Sequence, residues 1–409
     1  MIPSWRQAFN KQFQAANYRA MLTDLDKRSG THVSFRVAET PCFLPKSLLD
    51  EMADAGAALT YQLLENSDYM AASLAAIPAE YRLNSKSAHP HFMTADFGLV
   101  LDQEGAFRPR LVELQAFPSV YAFQSLIGEA YKEHFGLDAK LNSYLGGHTE
   151  ESFWKLFREV VVGDHDPAEV VLAEIQPERQ KTLPDFLLTS RRLGIPIVDI
   201  SRVEVTRSTG KTRLSYREDG KLRPIRRIYN RVIVDELIQK RIELPFDYRE
   251  DLDVEWAGHP NWYFQVSKFS IPYLHHPTVP DSVFLDEWFR GGGGSKLHGD
   301  REQVLLKPLF SFAGKGIVFG PSEHELALIP EDRRRDYLMQ ERVNFVPVIE
   351  TPQGMTQAEV RILYLWPERA TQMEPVLSLV RLGRGKMMGV DHNRDQQWVG
   401  ASAAYSVAE

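Results

Sequence analysis

Apolar residues recur at three- and four-residue spacing over 5–26 and 48–76, which predicts amphipathic helices across most of the first 80 positions. The pattern then changes period. A short apolar run at 97–101, turn-forming residues at 102–107 and alternation over 109–115 predict a β-hairpin. Helical spacing returns at 121–135 and 150–160. An apolar strand at 170–175, a helix at 182–193 and a second strand at 194–200 have the spacing of a βαβ unit with a parallel sheet. A further hairpin is expected from 203–216 and 222–229, with a helix at 230–240. Residues 281–301 read as a connector. They contain the tract Gly291 to Ser295, which has the composition of a designed flexible linker and is set aside from functional argument. The last segment, 303–405, alternates short strands and turns, with one helix near 323–328. The fold class is α/β with α+β elements. The expected domains are 1–160, 161–280 and 281–409.

Composition narrows the function. The chain has 409 residues, 43% hydrophobic and 25% charged, with a formal net charge of -7. Such a balance allows a sizeable core and argues against a nucleic-acid partner. The single cysteine, Cys42, excludes an intrachain disulfide and a cysteine-rich zinc site. No run reaches the ~18 apolar residues of a membrane span, and the first residues lack the apolar core of a signal peptide. A cytoplasmic protein without a membrane partner is expected.

The sharpest local signal lies at 304–318. An apolar strand delivers Lys307, a loop of small residues holds Ser311, Gly314, Lys315 and Gly316, and a second strand follows. A loop poor in side chains lets backbone N–H groups approach phosphate oxygens, and lysines supply charge for the same polyanion. A solvated hairpin fits the same residues. The strand 337–343 carries Gln340, Glu341 and Val343 beside an apolar stretch, either a hinge for adenine or an ordinary strand end. Glu359 and Arg361 share one strand face, and Arg381 lies on a later strand. These guanidiniums suit the charge on a transferring phosphoryl group, or surface salt bridges. Glu113 and Gln115 alternate onto one face of an otherwise apolar strand, where oxygen ligands would suit magnesium. Arg227, Asn230, Arg231, His259 and Asn261 fall at the ends of the βαβ strands, where a carboxylate substrate would be read. Asn393 and Ser402 sit near a small-residue loop that would close over the site.

The order of these parts resembles a circularly permuted ATP-grasp protein, similar to the synthetase domain of glutathionylspermidine synthase and its relatives. In that group the metal strand precedes the substrate domain, and the nucleotide lobe closes the chain. The resemblance implies a permuted ATP-grasp fold with a βαβ (pre-ATP-grasp-like) substrate domain. It implies Asp96, Glu113 and Gln115 as magnesium ligands, Lys268 and Lys307 as phosphate contacts, and Gln340, Glu341 and Val343 at the adenine hinge. The chain departs from the family at Gln115, where the family has asparagine, and at Ala116 to Ser119, which replace its usual continuation.

These readings predict an ATP- and magnesium-dependent ligase. It would join a small carboxylate to an amine, or to a thiol, through an acyl phosphate, releasing ADP and phosphate. A phosphotransferase that stops at a phosphorylated product and a non-catalytic nucleotide-binding scaffold are the alternatives. The sequence leaves the oligomeric state open.

Overall fold

The computed structural model describes residues 2–407 apart from 86, 209, 310–315, 386–387 and 390–394. Its largest sheet has seven strands: β1 (Cys42–Pro45), β2 (Phe92–Leu101), β3 (Phe107–Gln115), β15 (Ile349–Thr351), β16 (Gly354–Leu365), β17 (Glu374–Gly383) and β18 (Gly400–Val407). The order is β1-β18-β17-β16-β2-β3, with β15 paired to β16. Every pairing is antiparallel except that of β1 with β18. Residues from 42–115 and from 349–407 thus share one sheet.

A second sheet, β10-β9-β4-β5, is parallel and consists of β4 (Val170–Glu174), β5 (Ile197–Asp199), β9 (Arg227–Asn230) and β10 (Glu255–Ala257). The helix Leu183–Leu193 makes the expected crossover between β4 and β5. The expected hairpin over 203–229 is divided. β6 (Glu204–Ser208), β7 (Lys211–Glu218) and β8 (Lys221–Pro224) form a small antiparallel sheet, whereas β9 joins the parallel one. The switch follows Ile225: its N–H still donates to the Leu214 carbonyl, whereas the Arg226 N–H donates to the Glu169 carbonyl beside β4. The helix expected from 230 starts at Val234, which leaves Arg231 to Ile233 as a strand-end loop.

The fourth sheet, β11-β14-β12-β13, contains β11 (Ser282–Phe284), β12 (Val304–Pro308), β13 (Val318–Phe319) and β14 (Tyr337–Glu341). Residues 281–301 are therefore part of a packed lobe and not a bare connector. The glycine tract ends in the helix Gly294–His298, whose Leu297 is fully buried beneath Trp288. Gly293 takes φ +96°, and a Cβ there would lie 2.8 Å from the side chains of Val283 and Leu297. Only glycine meets both constraints, so the tract fits its surroundings and does not merely span them.

The large sheet has two chemically different faces. Ala95, Phe97, Leu114, Val360, Ile362, Val380 and Leu382 belong to one apolar core with residues of the helix Lys46–Glu65. On the other face Asp96, Glu113, Glu359, Arg361 and Arg381 line the cavity described below, while Leu363 and Leu379 join a second apolar core. Gly56 sits where that helix comes closest to the sheet: a Cβ would land on the Tyr364 hydroxyl and 2.9 Å from the Ala95 Cβ. The Tyr364 hydroxyl donates to the Ala53 carbonyl at 2.8 Å, so it has little room to retreat. Gly56→Ala is expected to lower stability by roughly 1–3 kcal/mol through overpacking. A urea midpoint equal to that of the wild type would show that the helix can lift off the sheet at little cost.

Candidate functional site

A cavity of about 660 Å³ lies between the large sheet, the β12–β14 lobe and the carboxyl ends of the parallel strands. Its lining brings together Asp96, Glu113, Gln115, Arg231, Lys268, Lys307, Gln340, Val343, Arg361 and Arg381, which come from distant parts of the chain. Among the described residues seven lysines and arginines line it against four carboxylates, a formal excess of three positive charges in a chain of net charge -7. Such a cavity favours a polyanion.

The charged face of the sheet is built by register. Arg361 lies directly across from Asp96, and Arg381 directly across from Glu359. Arg361 donates from Nε to Asp96 Oδ1 at 2.5 Å and from Nη2 to Oδ2 at 2.6 Å, a bidentate pair. Arg381 donates from one nitrogen to Asp96 Oδ2 at 3.1 Å and to Glu359 Oε1. Burial alone would push the Asp96 carboxyl up, but Arg361 and Arg381 outweigh it and hold the group below the ordinary carboxylate value. Glu359 moves the other way: burial raises it, against the pull of Arg381 and with help from Asp96.

A slip in the β2–β3 ladder presents Glu113. Asp96 faces Glu113 while Phe97 faces Leu111, so Val112 is the extra residue of a β-bulge. Simple alternation would put Glu113 on the buried face of Leu111. The bulge turns it towards the cavity and frees the Val112 carbonyl, which accepts from Lys307 Nζ at 3.4 Å. Lys268 Nζ lies 3.6 Å from Glu113 Oε1. Lys307 is only 4% exposed, and burial pushes its ammonium down to about 8, with Glu113 opposing and Lys268 adding to the shift.

Across the lobe, Val304, Leu306 and Met339 turn into a local core, while Leu305, Lys307 and Gln340 face the cavity. Gln340 is fully buried, and both the oxygen and the nitrogen of its amide lack a hydrogen-bond partner among the described residues. An orphaned amide of this kind costs about 1–3 kcal/mol for each unsatisfied group unless a ligand supplies the missing bonds.

At the carboxyl ends of the parallel strands, Arg231 follows β9 and is 5% exposed. It donates to the carbonyls of Pro118 and Ser119 and lies between the rings of Phe117 and Phe186, while its Nε has no partner. It forms no salt bridge among the described residues. The two carboxyls that influence it, Glu174 and Asp185, are raised by burial to about 8 and about 6. A buried guanidinium so poorly compensated suits an anionic ligand.

Several expected site residues have other work. Arg227 begins β9, at the end remote from the cavity, and donates to the Val160 and Val161 carbonyls at the end of the helix Glu150–Val162 and to Glu255. Asn230 accepts from the Val232 N–H. His259 caps the helix Pro260–Gln265 and bonds Ser85, and burial lowers its imidazolium to about 4. Asn261 exchanges hydrogen bonds with the backbone of Leu83. Glu341 pairs with Arg110 at 2.8 Å, tying β14 to β3 outside the cavity lining. Gly316 takes φ +75° but does not line the cavity. Ser402 is buried on β18, where it donates to the Thr40 carbonyl. Ser311, Gly314, Lys315 and Asn393 lie outside the described residues.

The three residues expected to hold magnesium, Asp96, Glu113 and Gln115, all line the cavity. Both Asp96 oxygens are taken by guanidiniums, and Gln115 Oε1 accepts from Arg361 at 3.4 Å. Among the described residues no group of three or more His, Cys, Asp or Glu is placed to hold a metal ion. Asp96 is an anchor for arginines in this arrangement. Sequence reasoning placed Glu359 beside Arg361 without giving it a role, and it missed Lys181, Asp235 and Tyr263, which line the cavity. Asp235 and Tyr263 carried no motif; only the fold brings them to the cavity. No described helix is long and apolar enough to cross a membrane.

No protein-family model matches the chain, and no curated protein matches it. Among solved structures, the chain is similar to a glutathione synthetase-like effector from Globodera pallida in its apo form. The two are 10% identical with a TM-score of 0.58, over 95% of this chain and 96% of the other. The chain therefore has a mixed α/β fold similar to that of this glutathione synthetase-like effector.

Proposed function

We propose that the protein is an ATP-dependent ligase that joins a carboxylate to an amine through an acyl phosphate, with ADP and phosphate as products. The observation that carries this reading is the cavity itself, positively charged, with a buried lysine and an orphaned amide on its nucleotide side and a poorly compensated guanidinium on its substrate side. In chain order, Glu113 precedes the parallel sheet and Lys307 follows it, the order that a circularly permuted ATP-grasp chain would have.

ATP would supply the phosphoryl group that activates the acid. Lys307 and Lys268 would hold its phosphate oxygens, and the Gln340 amide would offer a donor and an acceptor to the purine edge, with Val343 beside it. Arg361 and Arg381 would neutralise charge as the phosphoryl group moves, already fixed by Asp96 and Glu359. Arg231 would hold the acid. No protein nucleophile is required, so catalysis rests on position and charge. Magnesium is proposed only as the ion that ATP carries with it in solution. One observation favours a second reading, a non-catalytic nucleotide-binding protein: the engagement of Asp96 by both arginines. ADP release against a panel of amino acids, small peptides and polyamines separates the two, since a binding protein releases none.

Lys307→Met is expected to weaken ATP binding by about tenfold or more, equivalent to ~1.4 kcal/mol. Unchanged calorimetric affinity would remove the nucleotide reading. The pH dependence follows from the lowered lysine. Its charged form, which attracts phosphate, is lost as pH rises through about 8, so ATP affinity falls above that pH. In Lys307→Arg the guanidinium stays charged and the fall should disappear. Arg231→Met should raise the KM of the acid by about tenfold, the loss of a charge-assisted bond of roughly 1.5–3 kcal/mol, while ATP affinity stays within about twofold. An equal loss of both affinities would show that Arg231 only supports the fold.

A further inference from the structure

We infer that Glu359 is the catalytic base that takes the proton from the incoming amine as it attacks the acyl phosphate. The inference rests on the ligase reading and adds a residue and a step to it. When the amine nitrogen bonds the acyl carbon, the C–O bond to phosphate breaks and its electron pair leaves with the phosphate. The nitrogen then carries one proton too many and the departing phosphate one too few. A carboxylate beside both moves that proton from nitrogen to phosphate oxygen, so charge and atoms balance without a further reactant.

The cavity narrows the choice of acceptor. Protonated lysines and arginines offer no lone pair. Among the described residues four carboxylates line the cavity. Asp96 has both oxygens engaged by Arg361 and Arg381. Asp235 accepts from the Tyr263 hydroxyl at 3.1 Å, on the substrate side. Glu113 stands at the bulge beside Lys268, on the nucleotide side. Glu359 has one oxygen on Arg381, whereas the other accepts no hydrogen bond among the described residues and opens on the cavity.

Its place on the sheet decides the matter. Glu359 shares a strand face with Arg361, two residues along β16, and is cross-strand from Arg381. It is held by Arg381 and shares its face with Arg361, the two guanidiniums assigned to the moving phosphoryl group, so it stands beside the place where the amine must arrive and the phosphate must leave. Burial raises its carboxyl above the ordinary glutamate value, which brings a base closer to working pH. Arg381 fixes the group without occupying its second oxygen.

The test compares two acceptors in the full-length protein. The standard amino acids are supplied together as acids, with ATP, and the acceptor is either hydroxylamine or a mixture of glycine and spermidine. Hydroxylamine is largely unprotonated at neutral pH and traps acyl phosphates with little need of a base. In Glu359→Gln, the ratio of amine ligation to hydroxamate formation should fall by about a hundredfold, the lower range of a general base. Glu359→Asp, which keeps a carboxylate on a shorter arm, should recover part of that ratio. A wild-type ratio in Glu359→Gln, or equal loss of both products in both variants, would overturn the assignment. A wild-type protein that forms neither hydroxamate nor amide would instead overturn the ligase reading, and this proposal with it.

Discussion

Asp96 carries a buried negative charge between two guanidiniums, and the placement of the other charges on the sheet follows from it. Burying a charge costs several kcal/mol per ion unless partners of opposite sign and good geometry compensate. Here the compensation alternates across adjacent strands, from Arg361 to Asp96 to Arg381 to Glu359, so that each acid meets a base. The antiparallel register makes this possible by setting Arg361 opposite Asp96 and Arg381 opposite Glu359. Removing one member would leave its neighbour's charge less compensated, so the four positions are coupled. The set is neutral as a whole. The net positive charge of the cavity therefore comes from Lys307, Lys268, Arg231 and their neighbours, whose own compensation is thinner.

The same strands hold the apolar core on their other face. Val360 and Ile362 flank Arg361 and point towards the helix Lys46–Glu65, while Arg361 points into the cavity. A strand of this kind gives no clean hydrophobic alternation, because one face is packed against a helix and the other is filled by paired charges. That explains how Glu359 and Arg361 were readable as sharing a face, whereas their partner Asp96 was placed only through resemblance. No local signal says that a carboxylate at 96 will meet an arginine at 361.

Much of the architecture was legible because it rests on local periodicity. The β2–β3 hairpin, the helix at 121–135 and the crossover between β4 and β5 all follow from spacing within one segment. The cavity side of Lys307 and Gln340 was also legible in outline, from an apolar strand with a polar interruption. What failed to show depends on contacts or on single departures from regular geometry. The bulge at Val112 changes which face Glu113 occupies, and nothing in the residues 109–115 announces it. Arg227 and Arg231 look equivalent in sequence, four positions apart at the two ends of one short strand. The strand's polarity separates them: β9 runs parallel to β4, so its start lies over the end of the helix Glu150–Val162 and its finish over the cavity. The expectation treated the strand as one substrate-facing unit, and only its carboxyl end can be.

This polarity also explains why one cavity can serve two ligands. Parallel strands place their carboxyl ends together, so Arg231 after β9 and Asp235 beyond it reach the same rim. The β12–β14 lobe meets that rim from the opposite side with Lys307 and Gln340, and the large sheet closes the floor with its charged face. In the proposed reaction, an acid held at the rim and a phosphate chain held under the lobe would both be brought to the floor where Arg361 and Arg381 stand. The two guanidiniums are rigid there because their carboxylate partners are buried with them, and rigid dipoles need no reorganisation when charge develops. The cost of burying Asp96 is thus tied to function: a more exposed acid would hold the arginines less firmly, and an apolar residue would leave them to find another anion.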